Sequence, residues 1–140
     1  MHENFSHTLK VYYEDTDSGG VVYHANYLKF LERARTEALH SIGYSNQKVK
    51  KDFGSSIIVK ACNIEYKKPA TLEDELNIKS FIKSITKTSF FMNQIISKDD
   101  DIVAKAQVHL VFVDDKAKPV KIPEEIYFKF KPYFFNNIKI

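Results

Sequence analysis

Residues 12–42 read YYEDTDSGGVVYHANYLKFLERARTEALHSI, and the stretch changes character in its middle. Its second half has a helical pattern. Tyr27, Phe30, Leu31, Ala34, Ala38 and Ile42 recur at steps of three and four, giving one apolar face over residues 25–42. Lys29, Glu32, Arg33, Thr36, Glu37 and His40 lie mainly off that face. Gly43 stands just past the end, where glycine accepts the left-handed backbone that stops a helix. The first half is turn chemistry. Asp and Ser side chains in Asp15-Thr16-Asp17-Ser18 bond nearby backbone, and Gly19-Gly20 permit positive φ.

On both sides of this stretch the period falls to two. Residues 8–14 alternate, with Leu9, Val11 and Tyr13 on one side, and read as a first strand. Further strands are expected near residues 56–66, 75–83, 89–97 and 102–113. The last alternates most clearly, with Ala104, Ala106, Val108, Leu110 and Phe112 on one face. Lys68-Pro69 and Asp99-Asp100-Asp101 punctuate these runs as turns. Short links between successive strands imply antiparallel neighbours. Pro123-Glu124-Glu125 suggests a short terminal helix.

The order is strand, long helix, four strands. The helix needs a partner for its apolar face, and the sheet needs cover on one side. The expected fold is therefore α+β: a curved antiparallel sheet wrapped around one long central helix, as a single domain over residues 1–140. The sheet's open face and edges favour a dimer or larger assembly.

Composition narrows the function classes. Of 140 residues, 44% are hydrophobic, enough for a real core. The single cysteine, Cys62, excludes a disulfide framework and a Cys-based zinc site. The net charge of +3 is spread along the chain, unlike the concentrated charge of nucleic-acid domains, so no nucleic-acid partner is expected. No apolar run approaches the roughly 20 residues of a membrane span. The first residues lack a basic stretch followed by an apolar one. A cytoplasmic location is the simplest expectation.

The chemistry is expected within residues 12–27. Acids stand at Glu14, Asp15 and Asp17, a histidine at His24, and a helix begins at about residues 24–26. A helix start carries unpaired N–H groups and partial positive charge, suited to an oxyanion. A carboxylate just before it can activate water or attack an acyl group. Two other readings apply to the acids. Asp-x-Asp-x-Gly resembles the start of a calcium loop, but its twelfth position would be Asn26, where a bidentate Glu is needed. Alternatively, the acids cap the helix and tie down the turn, the reading favoured for Asp15.

The run from Val11 to Tyr27, continuing through Glu32-Arg33-Ala34-Arg35-Thr36-Glu37, closely resembles the Tol-Pal-associated acyl-CoA thioesterases. These belong to the 4-hydroxybenzoyl-CoA thioesterase branch of hotdog proteins. The resemblance extends more weakly through Tyr66-Lys67-Lys68-Pro69-Ala70 and beyond, over essentially the whole chain.

It implies a hotdog fold and hydrolysis of an acyl-CoA thioester, fatty or small, to free acid and CoA. Asp17 is the implied catalytic carboxylate, as base or nucleophile, and the backbone N–H at His24 the implied oxyanion donor. The His24 side chain and Tyr13 are implied assistants. No metal or cofactor is implied. The assembly is a homodimer or homotetramer with the site at a subunit interface. Contact with an acyl carrier protein and peripheral contact at the inner membrane are further expectations, which come from the competing binding-module reading and from the aromatic and lysine-rich tail rather than from the resemblance. One departure concerns an Arg that many relatives carry before the strand starting near Ser89. Here the chain reads Ile85-Thr86-Lys87-Thr88-Ser89, so Lys87, with Lys83, is the candidate for CoA phosphate.

Other features read as structural. His2, His7, His40 and His109 show no metal-ligand spacing, and Glu32 and Glu37 read as surface or interface residues. The tail from Ile126 to Phe135 mixes aromatics with lysines. It is expected to pack on its own sheet or a neighbouring subunit, with a membrane surface as the alternative. Two competing functions are a non-catalytic acyl-CoA or acyl-carrier-protein binding module and a dehydratase. The dehydratase needs an acid/base pair on the helix, and no obvious one is present.

Overall fold

A computed structural model describes residues 4–134. His2 and Phe135 therefore lie outside the described residues. Five strands and three helices follow in the order β1 (Phe5–Lys10), α1 (Asn26–Ser41), α2 (Asn46–Phe53), β2 (Ser56–Tyr66), β3 (Glu75–Ile85), β4 (Ser89–Lys98), β5 (Asp101–Val113) and α3 (Glu124–Phe130). The strands form one antiparallel sheet of order β1-β3-β4-β5-β2.

The second half of the opening stretch forms the expected helix. α1 buries Tyr27, Phe30, Leu31, Ala34, Ala38 and Leu39. Its end is a Schellman motif: the Tyr44 N–H donates to the Leu39 carbonyl, the Gly43 N–H to that of His40, and Gly43 holds φ +90°. α1 packs on β1 and β3. Below it lies a core that includes Leu76, Ile78, Ile82, Ile96, Val108 and Phe112, from the inward faces of three strands. Ile126 and Phe130 of α3 join the same core.

Three expectations need correction. β1 covers residues 5–10 rather than 8–14. Its partner β3 begins at Glu75, opposite Lys10, so the ladder ends there. Val11 bonds the link before β3 instead, donating to the Asp74 carbonyl and accepting from the Glu73 N–H. Tyr13–Asp15 is a turn of 3-10 helix.

The expectation of one long helix is met by three, of 16, 8 and 7 residues. α2 was missed because it is short and mostly polar. Its signals are present, however: the Ser45 hydroxyl accepts from the Lys48 N–H, and Gly54 closes the helix at φ +67°.

Successive strands are neighbours from β3 to β5, but β2 is not beside β3. It pairs with β5 at the far edge, and the link 67–74 crosses to the other side. That link is fixed in passing. The buried Ala70 accepts from the Val22 N–H through its carbonyl and donates its own N–H to the Tyr27 hydroxyl.

Candidate active site

The acid-bearing loop is a tight turn held by its own backbone. Thr16 bridges to Val22, the Asp17 N–H donates to the Val21 carbonyl, and the Gly20 N–H returns to that of Asp17. Gly20 takes φ +82°, which permits this turn.

The two aspartates serve different ends. Asp15 is buried, and its Oδ2 accepts from the Tyr12 N–H at 2.9 Å. Its carbonyl accepts from the Tyr23 N–H and from Asn26 Nδ2 at 2.8 Å. Asp15 thus ties the turn to the start of α1, with the Asn26 amide nitrogen as one of the donors that close the link. Asp17 is exposed. Its Oδ1 accepts from the Gly19 N–H at 2.8 Å, which orients the carboxylate, while Oδ2 accepts from no donor among the described residues. An exposed, oriented carboxylate with one vacant oxygen has the form of a base or nucleophile.

The start of α1 complements it. Asn26, Tyr27 and Leu28 spend their N–H groups on the carbonyls of Tyr23, His24 and Ala25. Neither His24 nor Ala25 donates its N–H to another described residue, and no side chain caps the helix. The exposed His24 ring lies 4.6 Å from that of Tyr23 and 6.2 Å, edge-on, from that of Tyr66. The Tyr66 hydroxyl donates to the His24 carbonyl at 3.2 Å. His24, Tyr27 and Tyr66 line an open cleft of about 300 Å³ with Val22, Lys67, Lys68 and Pro69. Burial pushes the Tyr27 phenol above its ordinary range, so it stays a neutral anchor.

Tyr66 is the functional candidate that residue-by-residue reading missed. Its signal was the Tyr66-Lys67-Lys68-Pro69-Ala70 run, but only folding brings it beside His24.

The other candidates lie apart. Tyr13 is 81% exposed and makes no side-chain hydrogen bond to Asp17 or His24. Lys83 faces outward on the sheet among Asn63, Glu65, Asn93, Lys105 and Gln107. Lys87 sits in the β3–β4 turn, where its carbonyl accepts from the Ile122 N–H. β3 runs from beside Val11 to this turn, which places Lys87 roughly 30 Å from the acid-bearing end of the same chain. Among the described residues, no group of three His, Cys, Asp or Glu is arranged to hold a metal ion.

A family profile described as the thioesterase-like superfamily matches residues 11–130. The chain belongs to that superfamily. An acyl-CoA thioester hydrolase from Escherichia coli O6:H1 is 41% identical over 129 residues, spanning 91% of this chain and 96% of that protein. An acyl-CoA thioesterase from Haemophilus influenzae is 37% identical over 127 residues, spanning 90% and 93%. Among solved structures, a probable thioesterase from Bartonella henselae superposes with a TM-score of 0.83 at 31% identity, over 86% of this chain and all of that one. A Staphylococcus aureus protein solved with CoA shares the fold at a TM-score of 0.89 and 17% identity, over 100% of this chain and 89% of that one. The α+β fold and its five-stranded antiparallel sheet are thus those of the hotdog thioesterases expected from the resemblance.

Proposed function

We propose that the chain hydrolyses acyl-CoA thioesters to free acid and CoA. The observation that carries this reading is the Asp17 carboxylate, oriented by Gly19, on the turn that leads directly into an uncapped helix start. The thioester carbonyl oxygen accepts from the His24 N–H, and its negative charge grows there as the carbonyl carbon is attacked. Asp17 either removes a proton from the attacking water or forms the new C–O bond itself, a mixed anhydride that water then cleaves. In both courses the C–S bond breaks and the CoA thiolate leaves, taking up a proton afterwards. The Tyr66 hydroxyl braces the His24 peptide, and the His24 ring and Tyr13 assist at the mouth of the site.

Thiol release from a panel of acyl-CoAs tests this. Wild type is expected to release thiol, and Asp17→Asn to do so about 10²–10⁴-fold more slowly. Equal rates, or binding without turnover in wild type, refute it.

The finer reading follows the resemblance. We place the chain in the Tol-Pal-associated group of the 4-hydroxybenzoyl-CoA branch, with α1 as the central helix, in the cytoplasm and touching the inner membrane only peripherally. An acyl carrier protein is an alternative carrier of its substrate.

We further propose that two copies, or a tetramer built from such pairs, join through β2. This edge strand has 11 residues, and Ile58, Val59 and Tyr66 on it are 41–47% exposed. Antiparallel pairing of two such edges sets the Tyr66 end of one copy beside the Ser56 end of the other. Lys87 belongs to that second end, since Ser56 pairs with Val113 and the Phe112 N–H donates to the Thr88 carbonyl. The pairing therefore supports Lys87 of one copy as a phosphate contact for CoA bound at the other. Lys83, on the open sheet face, is the weaker candidate.

A further inference from the structure

A second cavity, of about 210 Å³, lies between α1, β2, β4, β5 and α3. Its walls include Leu39, Val59, Phe90, Met92 and Leu110. Glu32, Thr36 and Asn46 add polar groups to this lining, and α1 sends Arg35 into it.

The guanidinium is held from the sheet. Arg35 Nη1 donates to Gln94 Oε1 at 3.0 Å. Gln94 is fully buried, and its Nε2 donates to the Leu31 carbonyl at 3.1 Å and to Ser80 Oγ at 3.0 Å. Two acceptors fix the amide nitrogen, so the amide oxygen is committed to Arg35. A guanidinium carries five N–H donors. Among the described residues only this one bond uses them, and no carboxylate reaches Arg35 as a salt bridge. Glu32, one turn back, lines the same cavity and its charge favours the Arg35 cation, but it is exposed and accepts from the Thr36 hydroxyl rather than from the guanidinium. Burial presses the Arg35 pKa below its ordinary value. A partly buried cation to which no carboxylate of the described residues is hydrogen-bonded is costly to keep, and the fork of unspent donors matches a carboxylate.

The position relates this cavity to the reaction. α1 and β2 bound both the cleft at His24 and Tyr66 and the cavity at Arg35 and Val59. Arg35 comes eleven residues after His24 in the chain, about 16 Å further along the helix.

We propose that this cavity receives the far end of the acyl group and that Arg35 selects acyl chains ending in a carboxylate. The substrate class is then ω-carboxyacyl-CoA. The inference rests on the thioesterase reading. A methyl end leaves the guanidinium's remaining donors unused; a carboxylate end takes them up. Gln94 is a positioning residue that aims the fork.

The test compares lauroyl-CoA with its ω-carboxy counterpart, dodecanedioyl-CoA. Wild type is expected to show a kcat/KM at least about tenfold higher for the ω-carboxy substrate, carried mainly by KM. Arg35→Met should bring the ratio near one. Arg35→Lys, which keeps the charge without the fork, should fall between and stands in if the Met variant does not fold. A wild-type ratio near one, or a ratio unchanged in the variants, overturns the proposal; a carboxylate from a second copy filling the cavity gives that result. If wild type hydrolyses neither substrate, the thioesterase reading fails separately. Calorimetry on the same two ligands then decides: tighter binding of dodecanedioyl-CoA, lost in Arg35→Met, supports the selection, and equal binding overturns it.

Discussion

Asp15 and Asp17 stand two residues apart and have opposite employments. Asp15 turns inward, where its carboxylate and carbonyl hold Tyr12, Tyr23 and Asn26. Asp17 turns outward with one oxygen uncommitted. Their substitutions should separate accordingly. Asp15→Ala removes the acceptor of the Tyr12 N–H and is expected to lower unfolding stability by about 1–2 kcal/mol, read from the urea midpoint. Asp17→Asn is expected to stay within about 0.5 kcal/mol of wild type by the same measurement while losing thiol release. If Asp17→Asn proved the more destabilised of the two, the division of labour would be reversed. Part of it was legible in the sequence, because an Asx residue in a turn bonds nearby backbone; the expected cap on α1 is not formed, since no side chain caps that helix. The sequence did not show which oxygens would be spent.

At the scale of elements, β2 is the exposed member. Among the described residues no strand pairs with its outer edge, and an unpaired edge of this length invites another copy. Ile58 is 41% exposed on it. Sedimentation should give wild type a mass of two copies or four, and Ile58→Lys, which places a charge on the edge, should shift it toward the monomer. A monomeric wild type would remove the pairing and with it the role of Lys87. The strands downstream were legible to within two residues because alternation and turn residues agreed there. α2 was not, since eight mostly polar residues leave no period to see, and its marks were the Ser45 and Gly54 caps.

At the scale of the whole molecule, the crossing link 67–74 is pinned at both ends of the sheet's N-terminal side. Asp74 accepts from the Thr71 N–H at 2.8 Å and pairs with Lys98, at the end of β4, at 2.8 Å. Burial alone would raise the Asp74 carboxyl pKa. Lys98 and the two Thr71 bonds outweigh it and hold the group below its usual range. A carboxyl depressed by folding contributes stability above its unfolded pKa, about 3.9, and loses it as pH falls through the lower folded value. The melting-temperature gap between wild type and Asp74→Asn should therefore be widest at neutral pH and close below about pH 4. A gap that persists in acid would mean that Asp74 acts through shape rather than charge.

The sequence by itself determined the local elements and the neighbourhood of the chemistry. Periods of three to four and of two are properties of consecutive residues, and so is a turn that leads into a helix. That sufficed for α1, for the four later strands, and for setting Asp17 just before the helix start. It did not determine which strands meet. β2 lies beside β5 through a backbone ladder, with Ile57 and Ile64 of β2 packed against the core, and pairing of segments that far apart leaves no mark on either alone. Tyr66 beside His24, and Arg35 beside Gln94 from 59 residues away, follow from that pairing and from the seating of α1. Contacts between distant residues are decided by packing, which is why the acid-bearing turn was readable in the chain and the cavity at Arg35 only in the fold.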